Sequence, residues 1–92
     1  MNNKTLVFLK YDCPTCKLIH PLLTDIQKKN TSLEIIVQDN PNLFPNLNVK
    51  KDHDLKISFH HEIEIVPTVI KLERNSETER LIGWNKQEWK KF

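Results

Sequence analysis

Two cysteines stand where an apolar run gives way to a helical pattern near the start of the chain. The run Leu6-Val7-Phe8-Leu9 leads into a short polar link, and Cys13 and Cys16 follow with two residues between them. They are the chain's only cysteines. In an intracellular protein this spacing is typical of a redox motif if a βαβ unit surrounds it, and otherwise of half a zinc site. The rest of the sequence therefore has to be searched for that unit.

Length and composition narrow the class of protein. The chain has 92 residues, 38% of them hydrophobic, and a formal net charge of +2, which predicts a single small globular domain over residues 1–92. Lysine and arginine are scattered, unlike the dense basic face of a nucleic-acid binder. No apolar run approaches the roughly 18 residues of a membrane span, and the N-terminus lacks a signal-peptide pattern. We therefore expect a cytoplasmic protein without nucleic-acid or membrane partners.

The first 37 residues predict a βαβ unit. Residues 6–11 form a nearly continuous apolar run, which suits a strand covered on both faces. Pro14 fits the first turn of a helix, and apolar residues at helical spacing continue from Cys16 to Ile26, with Pro21 expected to kink the helix. Residues 33–37 are apolar and β-branched, which predicts a second strand parallel to the first.

The second half predicts a loop, a hairpin and a last helix. Residues 42–52 have no regular pattern and are predicted to be a loop, part of a 40–60 insertion that also holds a short helix over 55–60, capped by Asp52 or Asp54. Residues 69–72 and 81–82 predict two antiparallel strands joined by a polar turn at 75–77.

Gly83 ends that hairpin, and Asn85 is placed to cap a helix over residues 86–92 that buries Trp89 and Phe92. The order is βαβ, loop, ββα. It predicts an α/β fold with a four-stranded mixed sheet flanked by helices.

Three motifs in this order resemble the thioredoxin-like superfamily. Cys13-Pro14-Thr15-Cys16 with the helix that follows is similar to the active-site helix of thioredoxins, kinking proline included. Ile65-Val66-Pro67-Thr68-Val69 resembles the family's cis-proline loop, and Leu81-Ile82-Gly83-Trp84 its last strand and glycine. The resemblance covers about residues 5 to 92.

The resemblance implies a thiol–disulfide oxidoreductase that reduces or exchanges protein disulfides, with Cys13 as nucleophile and Cys16 as resolving cysteine. It implies a cis bond at Pro67 and a role in cell redox homeostasis. It also implies a monomer that needs no metal or organic cofactor, but does need a protein disulfide substrate and an electron donor, either a thioredoxin reductase-like flavoenzyme or glutathione. The implied substrate-binding residues are Pro14, Thr15, Val66, Pro67, Thr68 and Gly83.

Physical chemistry supports that division of roles. A helix N-terminus stabilises negative sulfur, so we expect Cys13 to be the exposed thiolate and Cys16, one turn on, to be buried with a higher pKa. Asp12, where thioredoxins carry an aromatic residue, offsets part of that effect. The expected redox potential is about −200 to −270 mV. The first strand lacks the buried acid of thioredoxins, so the resemblance does not extend to the proton-shuttling carboxylate.

Two alternatives remain open at this stage. A glutaredoxin-like enzyme would reduce glutathione mixed disulfides, with Lys10 and Lys17 as candidate partners for the glutathione carboxylates. A non-catalytic binding or metal-carrying module would use Cys13, Cys16 and His20 with one further histidine as zinc ligands, or would hold an iron–sulfur cluster between two copies. The candidates for that fourth zinc ligand are His53, His60 and His61.

Overall fold

A computed structural model describes residues 3–30, 32–39, 47–74 and 76–89. The elements in chain order are β1 (Asn3–Leu9), α1 (Pro14–Leu18), α2 (His20–Lys29), β2 (Leu33–Val37), β3 (Val49–Lys51), a 3-10 turn (His53–Leu55), α3 (Lys56–His60), β4 (Thr68–Glu73), β5 (Ser76–Ile82) and α4 (Lys86–Trp89). Within these residues, no helix is long and apolar enough to cross a bilayer.

The strands form one mixed sheet in the order β3-β2-β1-β4-β5. The central strand β1 is parallel to β2 and antiparallel to β4, and β4 and β5 form an antiparallel hairpin with an irregularity at Lys71/Leu72. Both β1 and β2 are apolar at successive positions, and the sheet buries them on both sides. The predicted βαβ unit and hairpin are confirmed.

The predicted strand count of four is wrong, because the sheet has a fifth strand. β3 lies inside residues 42–52, which the sequence predicted to be a loop, and it pairs in parallel with β2 through Ile35↔Val49 and Val37↔Lys51. Two of its three residues are exposed lysines. Such a strand has too few apolar residues to show an alternating pattern, and charged residues are common on sheet edges because they discourage further pairing. Residues 40–46 of the predicted insertion lie outside the described residues.

The helix after the cysteines is divided in two. α1 ends and α2 begins on either side of Ile19, two residues before Pro21. Proline has no N–H to donate to the preceding turn, so the break at this place agrees with the predicted kink. Lys28 and Lys29 lie in the last turn of α2, where positive charge is favourable.

Two apolar clusters pack on opposite faces of the sheet. On one face, which we call the Cys16 face, Val7, Leu9 and Ile35 pack against Cys16 and Ile19 of the helical layer and against Trp89. On the other, the α3 face, Leu6, Phe8 and Ile70 pack against Ile57 and Ile63. Trp89 is buried as predicted, whereas Phe92 lies outside the described residues. The Cys16 face carries the candidate site at the end of β1.

Candidate active site at the start of the first helix

Cys13 is the residue that caps the N-terminus of α1. Its backbone is extended (φ −131°, ψ 109°), Pro14 is the first helical residue, and the Cys13 Sγ accepts a hydrogen bond from the Cys16 N–H at 3.3 Å. A helix start leaves its first N–H groups without partners inside the helix, so this sulfur satisfies one of them. The side chain is partly exposed. Cys13 is therefore held by a donor that favours negative charge on sulfur.

Cys16 lies one turn further on and has no exposed surface. Burial raises the pKa of its thiol to about 12, and a hydrogen bond with the Cys13 side chain and the charges of Cys13 and Asp39 act in the same direction, against a lowering contribution from the Lys10 backbone. Cys16 thus keeps its proton at neutral pH. The two cysteines differ in accessibility as the sequence predicted.

One predicted substrate-binding residue in the loop before β4, Val66, contacts Cys13, and two others, Pro67 and Gly83, adjoin it. The Val66–Pro67 peptide bond is cis, and the Cys13 Sγ–H donates to the Val66 carbonyl at 3.8 Å. The Gly83 N–H donates to the Pro67 carbonyl at 2.8 Å. Gly83 has a φ of +78°, a conformation that strains any residue with a Cβ, so the turn after β5 depends on glycine here.

The other three predicted residues have different environments. Pro14 is exposed and Thr15 is half-buried, both on the first turn of α1. Thr68 is 1% exposed, and its hydroxyl donates to the Ile65 carbonyl. Thr68 therefore contacts its own loop, and it supports the position of Val66.

Asp39, which follows β2, was not among the residues predicted for the site from the sequence. One carboxylate oxygen accepts the Tyr11 N–H at 2.8 Å and the other the Asp12 N–H at 3.2 Å, so Asp39 holds the two residues that precede Cys13. The only available signal was topological. The carboxyl ends of two neighbouring parallel strands meet at one edge of a sheet, so a residue after β2 is brought to the cysteines after β1.

Comparison with known proteins finds similarity to solved structures but no match by sequence. No family profile matches the sequence, and no curated protein matches it. Among solved structures, a Fasciola hepatica thioredoxin superposes with a TM-score of 0.69 at 18% identity, over 97% of this chain and 75% of that one. The exposed lipoprotein thioredoxin of Streptococcus pneumoniae gives 0.78 at 16% identity, over 94% and 78%. A Nicotiana alata thioredoxin gives 0.70 at 23% identity, over 97% and 68%.

The chain has the thioredoxin fold. The fold class predicted from the order of motifs is confirmed, apart from the additional edge strand described above. In this thioredoxin fold the cysteine pair stands at the start of the helix that follows the central strand.

Aromatic side chains contact two parts of this candidate site, the turn at Gly83 and the residues before Cys13. The Trp89 indole N–H donates to the Gly83 carbonyl at 3.0 Å, and the Trp84 ring lies 5.5 Å from that of Trp89. α4 thereby fixes the turn that pairs with Pro67. On the other side, the Lys17 Nζ lies 4.1 Å from the centre of the Tyr11 ring, a cation–π contact that directs this lysine toward the residues before Cys13.

The zinc alternative requires three or four ligands in one place. Over residues 3–30, 32–39, 47–74 and 76–89 there is no group of three or more His, Cys, Asp or Glu side chains arranged to hold a metal ion. His60 and His61 instead stack edge to face with ring centroids 4.8 Å apart, and His61 lies 6.0 Å from the Phe8 ring. These two histidines pack on the α3 face, opposite the cysteines.

Proposed function

We propose that this chain is a thiol–disulfide oxidoreductase that reduces or exchanges protein disulfides through Cys13 and Cys16. The observation that carries the proposal is the asymmetry of the pair. One sulfur is partly exposed at a helix N-terminus and accepts a backbone N–H, and the other is buried with a raised pKa one turn away. A nucleophile has to be accessible as thiolate, whereas a resolving thiol has to stay protonated until a mixed disulfide forms beside it.

The reaction proceeds in two exchanges. The Cys13 thiolate attacks one sulfur of the substrate disulfide, which forms a Cys13–substrate disulfide and releases the other substrate sulfur as a thiolate. Cys16 then gives up its proton and attacks the Cys13 sulfur, which releases the second substrate thiolate. Two electrons pass from the dithiol to the substrate, and a Cys13–Cys16 disulfide remains. Of the two protons that end on the substrate thiols, one comes from Cys16 and one from solvent, which had taken up the proton that Cys13 lost on ionising. An electron donor, either a reductase dithiol or two thiols such as glutathione, must reduce that disulfide before the next cycle.

The loop at Val66 supports a site for an extended substrate segment. Its carbonyl lies beside the Cys13 Sγ, so a chain whose disulfide reaches Cys13 would run along residues 65–67. We further propose that the reduction potential lies at about −200 to −270 mV, the range of thioredoxin and glutaredoxins.

Covalent trapping tests the roles of the two cysteines. Mixing Cys16→Ser protein with a disulfide-containing protein such as insulin is expected to give a complex that persists until dithiothreitol is added, because the resolving thiol is missing. Cys13→Ser is the matched control, and it should give neither a complex nor insulin reduction. A complex formed through Cys16, or undiminished turnover of Cys13→Ser, would overturn the assignment.

The electron donor is tested separately, with a flavin-dependent thioredoxin reductase or with glutathione as the only reductant. Reduction of a glutathione mixed disulfide that survives in Cys16→Ser would favour the glutaredoxin-like reaction, because that route needs only Cys13.

A further inference from the structure

An open groove lies on the α3 face, beside the edge strand β5. Its apolar lining consists of Phe59, Ile63, Ile65 and Ile82. Glu62 and Glu64 also line it, and because both are exposed we call them its rim. We call it the β5 groove. Its volume of about 680 Å³ falls within the roughly 300–1,000 Å³ of clefts that bind ligands. The cysteines pack on the opposite face of the sheet, so the groove is distinct from the pair itself.

The groove concentrates exposed apolar surface. Phe59 is 87% exposed, Ile82 62% and Ile65 54%, and only two other large apolar side chains in the described residues are comparably exposed. Single exposed apolar side chains are ordinary, but a group of them around one concavity marks an interaction surface. β5 is also the last strand in the order of the sheet, so among the described residues its outward backbone groups are available to an extended partner.

The rim of the groove is acidic. Arg80 lies in the groove, but its guanidinium is bound to both carboxylate oxygens of Glu77, at 2.7 and 2.9 Å. It also donates to the carbonyls of His61 and Glu62, which ties β5 to the end of α3. Among the described residues, neither Glu62 nor Glu64 is in an ion pair. A chain with a net charge of +2 thus has a negative rim here, which is complementary to lysine or arginine and repels an anionic lipid surface.

The groove begins one residue from the candidate active site. Ile65 precedes Val66, whose carbonyl contacts the Cys13 Sγ at 3.8 Å. An extended peptide advances about 3.3 Å per residue. A segment whose cysteine is at Cys13, and which runs alongside the loop from Val66 toward residue 63, would therefore pass Ile65 and then Ile63 within about two to four residues.

We propose that the β5 groove is a docking site for the protein substrate, and that it selects an extended segment with a large apolar side chain and a lysine or arginine about two to four residues from the target cysteine. The proposal rests on the proposed oxidoreductase function. It adds a preference among substrates that the cysteine pair alone does not supply.

Three peptides test the preference, each with one cysteine joined to thionitrobenzoate as a mixed disulfide. Near that cysteine they carry leucine and lysine, leucine and glutamate, or serine and lysine. With excess reduced protein, Cys13 attacks the peptide sulfur and releases coloured thionitrobenzoate, and Cys16 then releases the peptide thiol. The leucine–lysine peptide is expected to react about two- to fivefold faster than the leucine–glutamate one and about five- to tenfold faster than the serine–lysine one.

Variants locate the preference in the groove. Glu64→Lys should reverse the order of the lysine and glutamate peptides, and Phe59→Ser should remove the advantage of leucine while leaving the serine peptide unchanged. Glu73→Lys is the matched control, because it makes the same charge change at the far end of β4. Equal rates for the three peptides, or the same reversal in Glu73→Lys, would overturn the proposal.

Two further readings separate this proposal from the function on which it rests. Reduction of the small neutral disulfide bis(2-hydroxyethyl) disulfide reports on the cysteine pair alone, and its rate should be equal in all variants. If no variant reduces this disulfide, the proposed oxidoreductase function is wrong, and the docking site is then tested by peptide binding. Calorimetric titration with the same peptides, serine replacing cysteine, should show the same order of Kd. Sedimentation gives the contrary outcome. If the protein self-associates, if Glu64→Lys abolishes that association, and if the peptides show no preference, the groove binds a second copy of the chain and the proposal is overturned.

Discussion

At the scale of the residue, the proton on Cys16 sets the rate of the resolving exchange in the proposed mechanism. Its pKa is raised to about 12, first by burial and then by Cys13. Once Cys13 is in a mixed disulfide it carries no negative charge, so its charge no longer raises the pKa of Cys16. Burial continues to hold the pKa of Cys16 above its ordinary value of 9.0. Below the pKa, the thiolate fraction rises tenfold per pH unit.

We therefore expect release of a small thiol from its mixed disulfide with Cys13 to accelerate about tenfold per pH unit from pH 6 to pH 9. Stopped-flow measurement of that release in preformed mixed disulfide checks it. A plateau near pH 7 would mean that Cys16 ionises in the neutral range, contrary to its burial.

Asp39 contributes to the same pKa from the end of β2. It is the smallest of the contributions that raise the pKa of Cys16. Asp39→Asn removes the charge and keeps one oxygen that can accept from the Tyr11 N–H. The expected result is a faster resolving step at pH 7, by less than about tenfold, because Asp39 makes the smallest contribution to raising the pKa of Cys16. Asp25→Asn, an exposed acid on α2, is the matched control and should leave that rate unchanged.

At the scale of the element, α3 depends on one buried carboxylate. Asp52 is 1% exposed and accepts the Ile57 N–H at 2.7 Å, the Ser58 N–H at 2.8 Å and the Ser58 hydroxyl at 2.6 Å. Burial alone would raise the pKa of Asp52, but these hydrogen bonds together lower it below its ordinary value of 3.8. They also hold the turn in which Asp54 and Leu55 have positive φ, a strained conformation for a leucine.

Asp52→Asn is expected to lower the free energy of unfolding by about 1–3 kcal/mol at pH 7. A carboxylate whose pKa is lowered on folding stabilises the folded state above its unfolded pKa, and this stabilisation is lost as the pH falls through the folded value. The difference from the natural protein should therefore shrink below about pH 4. Urea denaturation at both pH values measures it. Asp54→Asn, an exposed acid in the same turn, serves as control, since asparagine tolerates positive φ; an equal loss there would contradict the role of Asp52.

The elements differ in how far the sequence predicted them. β1 and β2 were predictable because strands buried on both faces need apolar residues at successive positions, and the α1–α2 break because Pro21 has no N–H. β3 was missed because a three-residue edge strand with two lysines is held by its neighbour β2 and has no pattern of its own. The cap of α3 was predictable only as a choice between Asp52 and Asp54, because burial, which separates the two acids, depends on tertiary packing.

At the scale of the whole molecule, the sheet separates two surfaces for which we propose different roles. The order of motifs was enough to predict the thioredoxin fold and the position of the cysteine pair, since each motif is local in sequence. Asp39 and the β5 groove were not predictable in this way. Asp39 reaches the site through the pairing of β1 with β2, and the groove forms only when α3 and β5 are brought together.

The same packing encloses Cys16. It belongs to the apolar cluster of the Cys16 face, together with Val7, Leu23 and Trp89, which come from a strand and two helices. Alkylating its sulfur therefore requires opening of that cluster, whereas Cys13 is partly exposed on the folded protein.

Alkylation of the reduced protein tests the central asymmetry most directly. Reduced protein is mixed with limiting iodoacetamide at pH 7, and the modified cysteine is identified by mass spectrometry over time. The account predicts that Cys13 is modified rapidly and that Cys16 reacts only when urea unfolds the chain. Modification of both cysteines at similar rates in the folded protein, or of Cys16 before Cys13, would contradict it.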